Sequence, residues 1–241
     1  QERGADFLAQ NRHLWIRSAR QWATLRIRAT ILQEVRRWLD DQGFLPVDAP
    51  VPTPASLEEP SDFLESGHRS TPAYLEQAVR LYGEANIMAF GRVYSFGPAF
   101  RAGSDRSRRH VQEVWAVEAQ AAFVDLWDTM EMQEQILSSV VHAVLRARSS
   151  ELELLGRSSA LLESVVPPFR RMHYDEAVAM INKAAAAGAT LPSGGGPLLP
   201  ASWDADLSAG QAAYVAAQLD RPVFVHHYPA SARPFYLAQE P

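Results

Sequence analysis

The chain has 241 residues, 47% hydrophobic and 21% charged, enough to bury a core in one large or two small domains, which excludes disorder, collagen and coiled coil. Its 23 Lys and Arg against 28 Asp and Glu leave a formal charge of -5, so no blanket basic surface exists to grip nucleic acid and any such contact is local. Cysteine is absent, which excludes disulfides, thiol nucleophiles and thiolate metal sites, and neither a span of ~20 apolar residues nor a signal-peptide core is present, so the chain reads as soluble and cytoplasmic with no membrane partner.

From Ser18 to Asp41 the apolar residues Trp22, Leu25, Ile27, Ile31, Val35, Trp38 and Leu39 recur near helical spacing with arginines between them, which predicts a long amphipathic helix. Gly43 supplies a stop of the C-cap kind. Phe44 to Val51 alternates as a strand does, and Pro46 and Pro50 confine it to a sheet edge or an interface. Pro52 to Pro72, rich in Pro, Ser, Glu and Asp, reads as a long mobile loop that binds or covers a ligand. A short strand at Ala73 to Leu75 and a helix at Arg80 to Ala89 follow. Arg92 to Phe96 and Val111 to Phe123 read as two strands of a hairpin whose connection, Arg101 to His110, is rich in arginine. Asp125 to Leu155 is expected to be one helix, opened by acidic residues that suit its N-terminus. Tyr174 to Ala187 predicts a shorter helix, Gly188 to Pro200 a flexible segment, Ser208 to Leu219 a helix, and Pro222 to Val225 a short apolar strand ending in His226 and His227.

The hairpin tip gathers Arg101, Arg106, Arg108, Arg109 and His110 within ten positions. Guanidinium forks match phosphate oxygens bidentately, so the tip is a candidate phosphate clamp; a solvated charged turn is the other reading of the same composition. Glu113 and Glu118 lie five apart on the returning strand and therefore face opposite ways, which is not the spacing of a paired acid and base. His226 and His227 are expected to diverge as strand neighbours and not to share a metal. The acidic run Glu58, Glu59, Asp62 and Glu65 reads as a solvated loop rather than a metal site, and the tryptophans as packing rather than a base-stacking platform.

The segments Asn11 to Ser18, Gly43 to Pro54, Tyr94 to Ala102, Arg109-His110 and Trp115 to Glu118 occur in an order that resembles the catalytic domain of asparaginyl-tRNA synthetases, in the aspartyl/asparaginyl branch of class II. The likeness continues through Pro167-Pro168-Phe169, Tyr174 to Ala177, Pro222 to Val225, Tyr228-Pro229 and Pro234-Phe235-Tyr236. It implies an α+β fold, a mainly antiparallel β-sheet flanked by helices, with residues 1–241 as a single class II synthetase-like catalytic domain. It implies a homodimer joined through the long helix and the Pro50 strand. It implies ATP and an amino acid as ligands. By that likeness Arg101 holds the ATP α-phosphate and the substrate carboxylate, and Arg109, His110 and Val111 hold the outer phosphates or the adenine end. Glu58 meets the substrate ammonium, Gln77 lines the amino-acid pocket, and Glu118 lies near the substrate side chain, accepting from an amide NH2 and repelling a carboxylate.

The sequence departs from the family pattern at Gly103, where the family has Glu, and at Ala78-Val79-Arg80 after Gln77. The loop at Glu58-Glu59-Pro60 lacks the family's Gly, and Ala238 stands where a basic residue is usual. The family's Mg2+-binding carboxylates, its third motif and its anticodon-binding barrel are expected outside the 241 residues. The resemblance thus implies an ATP-dependent ligase core that forms an aminoacyl-adenylate for tRNA or a smaller acceptor, with weak tRNA binding by this chain, since Lys183 is its one lysine. The departures favour the alternative, a non-catalytic paralogue serving as a dimeric ligand- or partner-binding module.

Overall fold

The computed structural model describes residues 4–53, 63–64, 73–75, 80–100, 113–192, 194–234 and 236–239. Their contacts divide the chain into two compact units, one of residues 33–129 and one of residues 1–32 with 130–241. The α-helices are numbered α1 to α9 and the strands β1 to β8 in chain order.

The helix expected from Ser18 to Asp41 forms as α3 (Ala19–Asp41). At its start the Ser18 hydroxyl accepts from the Gln21 N–H at 3.3 Å. Its end is set by Gly43 at φ +76°: the Gly43 N–H donates to Asp40 O and the Phe44 N–H to Leu39 O, both at 3.0 Å, which is the paired bonding of a Schellman cap. Arg92 donates to the orphaned Gln42 carbonyl at 3.1 Å, and its guanidinium lies 5.6 Å from the centre of the Phe44 ring.

In the 33–129 unit, β1 (Leu45–Pro46) runs parallel to β5 (Arg92–Phe100), and β5 pairs antiparallel with β6 (Glu113–Ala121) from Arg92↔Ala121 to Phe100↔Glu113. The strand read over Phe44 to Val51 is thus only two residues long; it leaves the ladder after Val47 donates to Tyr94 O at 2.8 Å. Its place at the sheet edge is the one its prolines require. A second sheet, in the order β2-β4-β3, is antiparallel and joins β2 (Pro52–Thr53), β3 (Phe63–Leu64) and β4 (Ala73–Leu75). Two of these strands fall inside the stretch read as a loop; its other positions, 54–62 and 65–72, lie outside the described residues. The helix α4 (Arg80–Phe90) precedes β5. The expected Val111 to Phe123 strand ends at Ala121, and Phe123 turns the chain with φ +59°.

The other unit holds α1 (Ala5–Gln10) and α2 (Arg12–Trp15). The helix expected in one piece from Asp125 is two, α5 (Leu126–Ala147) and α6 (Ser149–Leu154), separated at Arg148, which leaves helical geometry at φ -136°, ψ 28°. After α7 (Ala160–Glu163), β7 (Arg170–His173) lies parallel to β8 (Val223–His226), with α8 (Tyr174–Ala186) and α9 (Ala209–Ala217) between them in the chain. Met172, Ala177, Ile181, Leu198 and Val215 form the core there. The segment read as flexible is instead a closed pin: Leu191 N–H donates to Gly196 O at 3.0 Å and Leu198 N–H to Ala189 O at 2.8 Å, which sinks Leu198 to 3% exposure. Ser208 and Gln211 close a capping box at the start of α9. The fold is α+β as expected; most of its described strand pairs are antiparallel, and β1–β5 and β7–β8 are parallel.

Candidate functional site

Register and pleat together decide what β5 and β6 present on each face. Glu118 stands opposite Ser95, Ala116 opposite Gly97 and Val114 opposite Ala99, so these residues share one face, while Phe96, Pro98, Trp115 and Val117 share the other. The second face is aromatic: Phe96 and Trp115 meet edge to face with centroids 6.1 Å apart, and the Arg36 guanidinium of α3 lies 4.6 Å from the Phe96 ring centre. Tyr94 donates from its hydroxyl to Asp40 Oδ1 at 2.9 Å. Burial raises the Tyr94 pKa above its ordinary value, and the Asp40 carboxylate adds to that.

The first face is built of small residues and carries a cavity of about 230 Å³. Its described lining includes Ser95, Gly97 and Ala99 on β5, Ala116 and Glu118 on β6, and Asp48 in the segment after β1. Two of these are acidic and none is basic, so the described lining favours a cation or a neutral polar group over an anion. Glu118 is half-buried and Glu113 exposed, and the two point to opposite faces as the sequence predicts.

Of the expected site residues, Glu118 alone lies among those described, and it takes its place on the cavity floor. Arg101, Arg109, His110, Val111, Glu58 and Gln77 lie outside the described residues, as do the departures at Gly103, Ala78 and Val79. Ser95 and Asp48 escaped the sequence reading. Ser95 becomes visible only through its register against Glu118, and that register cannot be counted across a connection as long as 101–112.

The histidines depart from expectation. His227 takes φ +58°, which turns its ring back so that its Nδ1 faces that of His226. His173, at the end of β7, stacks on His227 with centroids 5.1 Å apart, and its Nδ1 accepts from the Asp175 N–H at 3.3 Å as the cap of α8. Among the described residues no group of three or more His, Asp or Glu is placed to hold a metal ion. Nor is any helix among them long and apolar enough to cross a membrane.

The chain belongs to the class II tRNA synthetases (D, K and N), whose family model matches residues 4–241. It is 42% identical over 240 residues to the asparagine-tRNA ligase of Sorangium cellulosum, an alignment that takes in 100% of this chain and 54% of that protein. It is 40% identical over 237 residues to the asparagine-tRNA ligase of Herpetosiphon aurantiacus, covering 98% of this chain and 53% of the relative. The chain therefore spans about half the length of these curated relatives. Among solved structures, asparaginyl-tRNA synthetase from Pyrococcus horikoshii complexed with asparaginyl-adenylate matches it with a TM-score of 0.87 and 31% identity, over 100% of this chain and 52% of the other. Asparaginyl-tRNA synthetase from Entamoeba histolytica, at 23% identity, shares the fold with a TM-score of 0.80 over 100% of this chain and 51% of its own.

Proposed function

We propose that the chain is the amino-acid-activating core of an asparaginyl-tRNA synthetase, one catalytic domain that joins asparagine to ATP as asparaginyl-adenylate and passes the acyl group to tRNA. The observation that carries this reading is the acidic cavity floored by Glu118, in a fold that matches, along the whole of this chain, a synthetase complexed with asparaginyl-adenylate. Glu118 accepts from the side-chain NH2 of asparagine and repels the carboxylate of aspartate. Arg101 sits just past the end of β5 in the sequence and stabilises the charge that develops at the α-phosphorus as the substrate carboxylate attacks in line; Arg109, His110 and Val111 receive the pyrophosphate end. Glu58 meets the ammonium and Gln77 the amino-acid pocket. No protein nucleophile takes part. Mg2+ would supply charge neutralisation to the ATP phosphates when bound; among the described residues no group of three or more His, Asp or Glu is placed to hold it.

The relatives' names, asparagine-tRNA ligases, support tRNA as the acceptor over a smaller amine, held weakly by this chain given its charge of -5. The working assembly in this reading is a homodimer in the cytoplasm, the dimer supported by Trp22, Leu25 and Ile31, which are exposed along α3; sedimentation showing a monomer at micromolar concentration would remove the dimer. The central test is pyrophosphate exchange with each common amino acid. Exchange dependent on asparagine is expected, and exchange with none of them would refute the reading in favour of the non-catalytic paralogue.

A further inference from the structure

Ser95 is the one hydroxyl side chain in the described lining of the cavity, whose other members are Gly, Ala, Pro, Val and two carboxylates. It stands directly across the β5–β6 ladder from Glu118, so their Cβ atoms are neighbours at about 4.5–5.5 Å on one face, and both line the same cavity. Phe96 and Val117, the next pair along, turn to the other face. No hydrogen bond to the Ser95 hydroxyl is made among the described residues, whereas the polar side chains used for structure nearby, Tyr94 on Asp40 and Arg92 on Gln42, are bonded.

We infer that Ser95 is a specificity-determining contact for the side-chain carboxamide of asparagine, an inference that rests on the function proposed above. The chemistry is complementary. A carboxamide offers an NH2 that only donates and a carbonyl that only accepts. A carboxylate such as Glu118 only accepts, so it can satisfy the NH2 and nothing else. The carbonyl oxygen then needs a donor beside Glu118, and the hydroxyl of Ser95 is the side-chain donor that the described lining supplies. An aspartate side chain reverses the balance: it has two acceptor oxygens, and among the described lining it meets one hydroxyl donor, Ser95, together with two carboxylates, Glu118 and Asp48. Ser95 and Glu118 thus read the two ends of one amide, and the pair discriminates where either residue alone would not.

The test is pyrophosphate exchange by the wild type, Ser95→Ala and Ser95→Thr, with thermal melting of each as a check on folding. Loss of one neutral hydrogen bond to substrate should raise the KM for asparagine about 5- to 10-fold in Ser95→Ala, with kcat and the KM for ATP nearly unchanged, and Ser95→Thr should restore it. A structural role would instead move melting temperature and both KM values together. An unchanged KM for asparagine in Ser95→Ala overturns the inference while leaving the synthetase reading standing. A wild type that activates aspartate rather than asparagine overturns the carboxamide assignment but not amino-acid activation, and a wild type that activates nothing overturns both.

Discussion

Replacing Arg171 by leucine should destabilise the unit of residues 1–32 and 130–241 by about 3 kcal/mol. Glu134, on α5, retains 5% of its surface in solvent. Its charge is faced by Arg171 of β7, whose Nη2 lies 3.5 Å from Glu134 Oε2. That separation is too long for a good charge-assisted hydrogen bond. Glu134 Oε2, Arg171 Nε and, one turn along α5, Ser138 Oγ are all buried without a hydrogen-bond partner among the described residues. The attraction is therefore almost purely coulombic, on the order of 5 kcal/mol before desolvation at an effective dielectric of about 20, and burying the carboxylate cancels most of it.

Removing the arginine leaves that burial uncompensated, which costs roughly 3–5 kcal/mol in closed sites. The low end applies because the Arg171 side chain keeps 32% of its surface, a route for water to relax the bare carboxylate. Replacing both partners, Glu134→Leu with Arg171→Leu, removes the buried charge as well and should leave stability within about 1 kcal/mol of wild type or above it. Urea denaturation followed by circular dichroism reads each corner of this cycle, with unchanged slopes required for the midpoints to be compared. A cost under about 1 kcal/mol for Arg171→Leu, or a double variant as weak as the single one, would show that the pair is not a desolvated ion pair held by charge alone.

Glu118→Gln should keep the fold but lower the kcat/KM ratio of asparagine over aspartate in pyrophosphate exchange by at least about 10-fold, since the glutamine amide can donate to either substrate; an unchanged ratio would exclude Glu118 from side-chain recognition. Gly43→Ala should cost about 1–2 kcal/mol, because alanine is strained at φ +76° although its Cβ would meet nothing within 4 Å among the described residues. Gly43→Asn, which tolerates that conformation better, should cost less in the same urea titration. Glu151 titrates below the usual glutamate range because the Arg26 side chain donates to it, outweighing the upward push of burial, and the Ser150 hydroxyl adds to the effect. A depressed carboxylate stabilises the fold above its unfolded pKa and loses that contribution as pH falls through the folded one. Acid should therefore weaken the wild type below about pH 4.3 more steeply than Arg26→Met; parallel pH profiles would contradict this.

The long elements were legible because their signals are local. The apolar spacing of α3, the glycine at its end and the alternation through β6 each depend on residues within a few positions of one another. What was missed or misjudged depends on partners far along the chain. β7, Arg-Arg-Met-His, has no alternation of its own and becomes a strand because Val223 to His226 lies alongside it. Gly188 to Pro200 has the composition of a linker, yet Leu198 finds a closed core against Met172, Ala177, Ile181 and Val215, and burial outweighs local flexibility. The break at Arg148 has no glycine or proline to announce it. On the cavity face, Glu118 was singled out through a family likeness, whereas Ser95 required the ladder.

The two faces of β5 and β6 divide their labour by side-chain size, and this yields a prediction in which stability and function move in opposite directions. Phe96, Trp115 and Val117 fill one face; Gly97, Ala99 and Ala116 leave the other open over the cavity. Gly97 has no backbone need to be glycine: its φ is not among the positive values of the chain, and a Cβ built on it would meet nothing within 4 Å among the described residues. A glycine inside a strand is entropically costly and packs nothing, by about 0.5–1 kcal/mol relative to alanine. Its presence is therefore explained by the space it leaves rather than by the chain's conformation. Gly97→Val places a β-branched side chain, favoured in strands, into that space. The variant should melt at the wild-type temperature or a few degrees above it, while the KM for asparagine rises at least about 10-fold, as expected when a well-fitted pocket loses volume. A variant that melts as expected and still activates asparagine with an unchanged KM would show that the substrate does not lie on this face, and would move the site away from Glu118 altogether.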